Sequence, residues 1–338
     1  MTLENEHASA GTPSQMPDGD LLRAMLKYAV LAPSGHNTQP WLFKLSNEGS
    51  LDLIADRTRA LPAVDPYDRE LTISCGAALD HLEIAASHYG RALRIEISPH
   101  PAEPDVLARV NLVNEASGKL DGLFEAIPKR RTTREKYDNR TLPNELAEQC
   151  MAIAEEFGVA LDLVTDNDRR SRIADLVAEA DRIQFADPSF RRELASWVHS
   201  RRSASQDGMS GEGFGMPDVL SPAGALVIRT FDLGKGVAAG DRDKIVEGSP
   251  TLATFSSTDD TVNSWIQVGR ALSRVLLTLE EHGVTASYLN PPVELAELRP
   301  RLQTIVRASR IPQLLMRFGY GTSPGPTVRR AVEQVIVD

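Results

Sequence analysis

The chain has 338 residues, 41% of them hydrophobic and 25% charged, as is ordinary for a globular protein of one large domain or two. Its formal net charge of -10 argues against nucleic acid as the main partner, because an acidic surface repels a phosphate backbone. We find no apolar run long enough for a membrane span or a signal peptide, and therefore expect a cytoplasmic protein without membrane contact. Cys75 and Cys150 lack a metal-binding spacing, and we expect no metal site.

The first half of the chain is predicted to form helices and strands joined by short connections. Apolar residues at helical spacing predict a helix over 18–31, and alternating residues predict a hairpin of strands 41–45 and 51–55. The further elements expected here are a helix over 70–89, strands over 93–97 and 108–113, and a short helix over 120–127.

The second half contains the same kinds of element with longer loops. The predicted helices cover 144–157, 169–200 with a bend near Pro188, 263–282 and 295–306. The predicted strands cover 160–164, 225–230, 285–289 and 313–318. Residues 203–217, rich in Ser and Gly, are expected to form a mobile linker or a lid, and a second loop is expected between residue 230 and the helix at 263.

Two of these helices align without gaps. Residues 265–283 can be laid over 72–90, with Gly269 over Gly76 and matching Ile, Ala, Leu and terminal Gly residues. Two amphipathic helices can share several identical residues by chance. A glycine inside a helix, however, costs about 1 kcal/mol of stability relative to alanine. Its recurrence indicates close packing of another backbone there, and favours a duplicated fold whose halves pack as a pseudo-dimer.

The connection between the first helix and the first strand, residues 32–41, is unusually polar. Pro33 and Gly35 end the helix, and five hydrogen-bonding side chains follow within six positions, from Ser34 to Gln39. Such a stretch is either a turn with solvated polar groups or a loop held by two elements and directed at a ligand with many polar atoms.

These features together resemble the FMN-dependent nitroreductase superfamily, most closely its single-chain, duplicated Acg-type branch. The bend 33–41 matches the PSxxNxQPW motif of that superfamily, residues 130–134 resemble its RR(S/T)xR phosphate-binding segment, and residues 290–294 are similar to its PxE loop. The resemblance extends from about residue 20 to the end of the chain. It implies an α+β nitroreductase fold, α/β sandwich-like, with a flexible N-terminus 1–19 and two nitroreductase-like halves at 20–127 and 128–338.

The resemblance also implies one FMN per chain, with NAD(P)H as transient reductant. Residues 1–19 contain no arginine, so a second, symmetry-related site is not expected. The residues that the resemblance assigns to FMN are Pro33, Ser34, Gly35, His36, Asn37, Gln39, Arg130, Arg131, Thr132, Arg134, Pro291, Arg329 and Arg330, with Asn290, Pro292 and Glu294 near the flavin ring. Guanidinium groups suit a phosphate because they can bind it through two hydrogen bonds at once.

The implied activity is transfer of a hydride or electrons from NAD(P)H to a nitroaromatic, a quinone or a similar small acceptor. The flavin would carry this chemistry, so no protein acid or base is demanded, and a main-chain N–H of 290–294 is expected near the ring. Two alternatives remain open: a flavin-sequestering or sensing protein with little turnover, and an inactive partner-binding relic. A monomeric pseudo-dimer is expected, with further self-association left open.

Overall fold

The computed structural model describes residues 16–46, 49–114, 120–199, 203–210 and 221–338. Most of the expected flexible N-terminus, residues 1–15, lies outside this range, as do the hairpin residues 47–48 and residues 211–217 of the expected linker or lid. The first helix begins at Asp18, so the last two residues assigned to the flexible N-terminus belong to a helix.

The first half forms the helices and strands that its sequence pattern predicts. In chain order they are α1 (Asp18–Ala29), β1 (Trp41–Leu45), β2 (Ser50–Ala55), α2 (Arg69–His88), β3 (Ala92–Ile97), β4 (Val106–Val113) and α3 (Asp121–Ala126). Apolar faces of α1 and α2 pack on this sheet and form the first hydrophobic core.

The second half contains more elements than its sequence pattern predicts. They are α4 (Asn144–Glu156), β5 (Ala160–Val164), α5 (Asn167–Ala186), α6 (Pro188–Ser196), β6 (Val198–His199), β7 (Met209–Ser210), α7 (Ser221–Thr230), α8 (Gly234–Gly248), β8 (Thr251–Ser257), α9 (Val262–Glu281), β9 (Thr285–Tyr288), α10 (Pro291–Glu294), α11 (Arg299–Val306), β10 (Ile311–Gly319) and β11 (Ile336–Val337).

Three local predictions in this half are wrong. The strand expected over 225–230 is part of helix α7, because a short apolar run does not distinguish a strand from a helix. The loop expected after residue 230 contains helix α8 and strand β8, whose seven residues are all buried. The helix predicted over 169–200 ends at Ser196, and near the predicted bend it is divided into two helices, where the Asp187 carboxylate accepts a hydrogen bond from the Ser189 N–H at 2.8 Å.

The sheet topology confirms the α+β class and the duplication. The first sheet has the order β1-β2-β4-β3 and the second has the order β5-β8-β10-β9, with antiparallel neighbours throughout both sets. In each half the long helix, α2 or α9, follows the second strand of this order. The terminal strand β11 then pairs in parallel with β1, so the tail of the chain returns to the first sheet.

Helices α2 and α9 cross at the two aligned glycines. A Cβ atom on Gly76 would lie 2.3 Å from the carbonyl oxygen of Ile266, and one on Gly269 would lie 2.0 Å from that of Ile73. The repeated glycine therefore marks the contact between the two copies, as expected from its cost inside a helix. Beside the crossing, the fully buried carboxylate of Asp80 accepts a hydrogen bond from Arg274 at 2.6 Å.

The halves differ most in the connection between their first two strands. A short hairpin joins β1 to β2, whereas residues 165–250 connect β5 to β8 and carry α5 to α8 together with the small β6–β7 pair. We call residues 165–250 the insertion. No helix in the described parts of the chain is long and apolar enough to cross a membrane.

Candidate active site

One large cavity lies where the two halves meet the insertion. Its volume is about 990 Å³, at the upper end of the range of small-molecule pockets. Its walls come from 33–37 in the first half, from 130–135 and 287–294 in the second, from the tail at 322–329, and from the insertion. The polar bend, residues 33–41, and the arginine-rich segment, residues 130–134, thus both contribute to the wall of the same cavity.

Most of the predicted site residues line this cavity. They are Pro33, Ser34, Gly35, His36, Asn37, Arg130, Thr132, Arg134, Asn290, Pro291, Glu294 and Arg329. The four that do not line it are Gln39, Arg131, Pro292 and Arg330. Arg131 instead donates to the carbonyl oxygens of Pro128 and Arg130, at 2.7 and 2.8 Å.

The polar bend has an unusual backbone. His36, Asn37 and Gln39 have φ values of 49°, 55° and 52°, in the left-handed region that residues other than glycine seldom adopt. Such conformations cost on the order of 1 kcal/mol or more each, and persist only where the surroundings hold them. The bend is therefore a strained segment fixed by its contacts.

Side chains within and around the bend supply those contacts. The Ser34 hydroxyl accepts a hydrogen bond from the Gln39 N–H at 2.9 Å, and the Gln39 amide oxygen accepts one from the Arg330 N–H at 2.8 Å. The Arg330 guanidinium donates to the Gln39 carbonyl oxygen at 3.2 Å. Gln39 and Arg330, which do not line the cavity, thus fix the conformation of the bend, while Pro33 to Asn37 form part of the cavity wall.

Three arginines give the cavity a positive wall. In the described parts of the chain, no ion pair is made by Arg130, Arg134 or Arg329, and the Nε atoms of Arg130 and Arg329 are buried without a hydrogen-bond partner. Arg134 faces the open cavity, where its guanidinium contacts the Met209 sulfur at 3.7 Å. Uncompensated guanidinium groups at one wall favour a bound anion, and a phosphate fits their chemistry.

The pKa values of these groups reflect the same surroundings. Burial lowers the pKa of Arg130, Arg134 and Arg329, the last to about 9, and neighbouring arginines lower them further. Arg134 is accessible to solvent inside the cavity, yet the surrounding walls still reduce its hydration. Burial, followed by the charge of Arg134, lowers the pKa of His36 to about 4, so this imidazole is neutral at pH 7.

Another part of the wall is acidic. Glu70 at the start of α2 and Glu294 at the end of α10 both line the cavity. Glu70 accepts a hydrogen bond from Arg69 at 2.8 Å, and Glu294 accepts one from Gln184 at 2.5 Å. Burial raises the pKa of both carboxyl groups, and Glu70 adds to the rise at Glu294.

The segment 290–294 offers fewer main-chain donors than expected. Pro291 and Pro292 have no N–H, while the N–H groups of Val293 and Glu294 donate to the Asn290 carbonyl oxygen at 2.7 and 3.2 Å. The expected main-chain contact from this segment to a ring therefore cannot come from residues 291–294 in this geometry. Tyr288, just before the segment, also lines the cavity.

The insertion crosses the bend through residues 203–210, which we call the strap. The Asn37 side chain donates to the Gly208 carbonyl oxygen at 3.0 Å, and the Gly208 N–H donates to the Asn37 carbonyl oxygen at 3.3 Å. Asp207 of the strap forms an ion pair with Arg59, which also donates to the Thr38 carbonyl oxygen. The strap is thus fastened to the bend beside the cavity.

Sequence reasoning missed several lining residues, among them Glu70, Asp181 and Tyr288. Asp181 was detectable, since it lies at helical spacing between Val177 and Phe185 on an otherwise apolar face. Burial, followed by the charge of Asp241, raises its pKa to about 8. Glu70 and Tyr288 gave no comparable signal, because each stands at the end of a regular element.

The chain is similar in sequence to proteins that are named as nitroreductases. No family model matches the chain. "Putative NAD(P)H nitroreductase Rv3131" of Mycobacterium tuberculosis is 32% identical over 334 residues, covering 97% of this chain and 94% of the relative. "Putative NAD(P)H nitroreductase acg" of the same organism is 26% identical over 332 residues, covering 96% and 97%.

Among solved structures, the FMN and NADPH-dependent nitroreductase NfnB from sphigopyxis sp. strain HMH is similar with a TM-score of 0.43 and 18% identity. The match covers 64% of this chain and 97% of that one. The family itself is shown by the relative that is 32% identical over nearly the whole length, and the chain belongs to the NAD(P)H nitroreductase family.

Proposed function

We propose that the cavity binds one FMN per chain, and that the protein is an oxidoreductase passing electrons from NAD(P)H to a small acceptor such as a nitroaromatic or a quinone. One observation carries this proposal: arginines without ion pairs, from the second half, line the same cavity as the strained polar bend of the first half. The names of the relatives support the reductant and the class of reaction.

The arginines are suited to hold the FMN phosphate. This phosphate carries close to two negative charges at neutral pH, and charge-assisted hydrogen bonds to guanidinium groups are strong where water is excluded. Arg130, Arg134 and Arg329 would supply them, with neutral His36 beside Arg134. Arg131, Arg330 and Gln39 would act indirectly, by bracing the bend and its surroundings.

The isoalloxazine ring would lie between the bend and the segment 288–294. When bound, the flavin supplies hydride and electron transfer, and the chain supplies binding, orientation and exclusion of water. Pro33 to Asn37 would border one side, with Asn290 and Glu294 at the other. The volume of about 990 Å³ leaves room for the nicotinamide and the acceptor to use the same space in turn.

We expect a single site, completed within one chain. The connection in the second half that corresponds to the polar bend, between α4 and β5, consists only of residues 157–159. It cannot form a comparable wall for a second flavin. The halves 20–127 and 128–338 would then act as a pseudo-dimer that needs no second copy for its chemistry.

A second candidate function is sequestration of flavin with little turnover. The strap favours it, because Asp207 and Gly208 fasten the insertion to the bend beside the cavity. A closed strap would hinder entry of the nicotinamide while leaving the phosphate anchors in place.

The absorption spectrum of the purified protein tests both functions. We expect a yellow protein with the spectrum of bound flavin, which bleaches when NADPH or NADH is added anaerobically and recovers when a quinone follows. A flavin that stays oxidised in the presence of excess NAD(P)H but is reduced by dithionite would favour sequestration. A colourless protein that cannot be reconstituted with FMN would contradict the proposal.

A further inference from the structure

In the acidic part of the cavity wall, Arg69 connects the two halves: it donates to Glu70 at 2.8 Å and to the carbonyl oxygen of Val293, the neighbour of Glu294, at 3.5 Å. Glu70 belongs to the first half and Glu294 to the second, and both face the space assigned above to the flavin and its acceptor. A Cβ atom placed on Gly35 would lie 3.9 Å from Oε2 of Glu70, so this oxygen points toward the polar bend. The pair therefore lies where the bend and the segment 290–294 approach each other.

Neutralising charge is scarce around these groups. Asp65, Glu70 and Glu294 form the acidic group, and the guanidinium that contacts it is Arg69, paired to Glu70 at 2.8 Å. Arg69 also donates to the Gln313 carbonyl oxygen. Three carboxyl groups cannot all be ionised cheaply beside one guanidinium when they are removed from water.

Among the residues that the structure describes, the remaining groups that face the pair do not supply a second positive charge. Arg299 lies nearby but is committed to Asp260 at 2.8 Å. Burial raises the pKa of Tyr288 to about 12, so its hydroxyl stays neutral. Glu193 approaches Asp65 from the insertion and adds negative charge, although it accepts hydrogen bonds from two backbone N–H groups.

Fixed donors hold each carboxyl group in place. Asp65 accepts from the backbone N–H groups of Arg69 and Leu71, both at 2.9 Å, and these bonds support its negative charge although burial raises its pKa. Glu294 accepts only from the neutral amide of Gln184 among the described residues, at 2.5 Å. Of the three carboxyl groups, Glu294 therefore has the weakest support for a negative charge, and its pKa rises well above the ordinary value.

We propose that Glu294 holds a proton at neutral pH beside the Arg69-paired Glu70 and that it delivers this proton to the oxygen of the reduced acceptor. This inference rests on the proposed function and adds a proton donor to it. The O–H bond of the Glu294 carboxyl breaks and an O–H bond forms on the acceptor oxygen, while the two electrons and the second proton come together as a hydride from NAD(P)H by way of the flavin. A quinone thus becomes the hydroquinone, and a nitro group becomes the nitroso group with release of water. Water entering the cavity mouth then returns a proton to the carboxylate. The acceptors that benefit are those whose reduction consumes protons at oxygen, quinones and nitro compounds.

The substitution Glu294→Gln tests this assignment with little change of shape. It keeps a side-chain oxygen for the hydrogen bond from Gln184 but removes the proton. Glu297→Gln is the matched control, because Glu297 lies three residues further on and is exposed. Infrared spectra of the flavin-free proteins at pH 7 should show the carbonyl stretch of protonated carboxyl groups. Compared with wild type, this signal should be smaller by one carboxyl group in Glu294→Gln and unchanged in the control.

Kinetics of flavin reoxidation provide the second measurement. With a benzoquinone as acceptor, Glu294→Gln should slow reoxidation at least tenfold at pH 7 and remove its fall with rising pH. With ferricyanide, which takes electrons without protons, the rate should stay within twofold of wild type, as should flavin reduction by NADPH.

The outcomes separate this inference from the proposed function. An unchanged infrared carboxyl signal in Glu294→Gln, or equal losses with quinone and ferricyanide, would overturn the proton-donor role. Absence of bound flavin in the wild-type protein would instead overturn the proposed function, and the infrared comparison would still show whether Glu294 carries a proton.

Discussion

The crossing of α2 and α9 makes a sharp prediction about Gly269. An alanine Cβ there would lie 2.0 Å from the Ile73 carbonyl oxygen and 2.8 Å from Gly76 Cα, where ordinary contact begins at 3.4 Å. Both neighbours are backbone atoms of a buried helix, so no flexible side chain can move aside. The two helices would have to separate by roughly 1 Å or more, which loosens the packing between the halves.

The expected cost of Gly269→Ala follows from two opposing terms. Overpacking a core costs about 1–3 kcal/mol or more, whereas replacing glycine by alanine inside a helix contributes up to about 1 kcal/mol of stability. We expect the steric term to dominate, with a net loss of about 2 kcal/mol. Chemical denaturation followed by tryptophan fluorescence and by circular dichroism would measure it, and would show whether the halves still unfold together.

The control is the same substitution at Gly240 in α8, where a Cβ would have no atom within 4 Å. Gly240→Ala should leave the protein as stable as wild type or make it more stable, by up to about 1 kcal/mol. A Gly269→Ala protein as stable as wild type would refute the reasoning, since it would mean that the two helices do not approach as closely as the structure shows.

Three further predictions concern the interface between the halves and the site. Asp80→Ala should lower the unfolding free energy by about 2 kcal/mol, because it leaves Arg274 without its buried partner. The loss should be smaller than the ~3–5 kcal/mol expected for a fully unpaired buried charge, since Glu83 still pairs with Arg274 at 3.1 Å. An unchanged denaturation midpoint would contradict this. The pKa of His36, followed by NMR, should be about 4 without flavin and should rise when FMN binds, since a phosphate offsets the charge of Arg134; equal values in both states would place the phosphate elsewhere. Asp207→Ala should increase the rate of FMN release about tenfold by loosening the strap from Arg59, whereas an unchanged rate would show that the strap does not retain the flavin.

Two surface substitutions serve as controls for these variants. Asp138→Ala removes an exposed pairing with Arg140, and should leave the denaturation midpoint unchanged, unlike Asp80→Ala. Asp105→Ala removes an exposed partner of Arg57 away from the strap, and should leave the rate of FMN release unchanged.

Local patterns predicted the first half of the fold well. Helix α1 and strands β1 to β4 each have one face in the core and short connections, so their periodicity survives in the sequence. Helix α2 is buried on nearly all sides, yet its large apolar residues still recur at helical spacing. The glycine shared by α2 and α9 also predicted their close contact, because a glycine is costly inside a helix unless another backbone packs against it.

The second half of the fold was harder to predict, because several of its helices and strands lack a clear periodicity of apolar residues. β8 lies between two strands and is buried along its whole length, so its sequence shows no alternation of apolar and polar residues. In α8, glycines at 234, 236 and 240 weaken the helical pattern. Only packing against α5 and neighbouring strands gives these segments their conformation.

The candidate site was predicted in outline, but not the manner in which each residue contributes. The motifs identified the polar bend and the arginines that line the cavity, yet Gln39 and Arg330 brace the bend instead of facing the cavity. Of the acidic part of the wall, Glu294 was predicted but Glu70 was not, because Glu70 reaches this wall only through the packing of the two halves.

The central claim is that one cavity between the two halves holds a single FMN through arginines of the second half. Flavin content per chain, measured by absorbance after reconstitution with FMN and removal of the free cofactor, tests it most directly. We expect one FMN per wild-type chain, loss of most of it in Arg134→Ala, and full retention in Arg94→Ala, whose side chain is exposed on β3. Two flavins per chain, or equal retention by both variants, would contradict the claim.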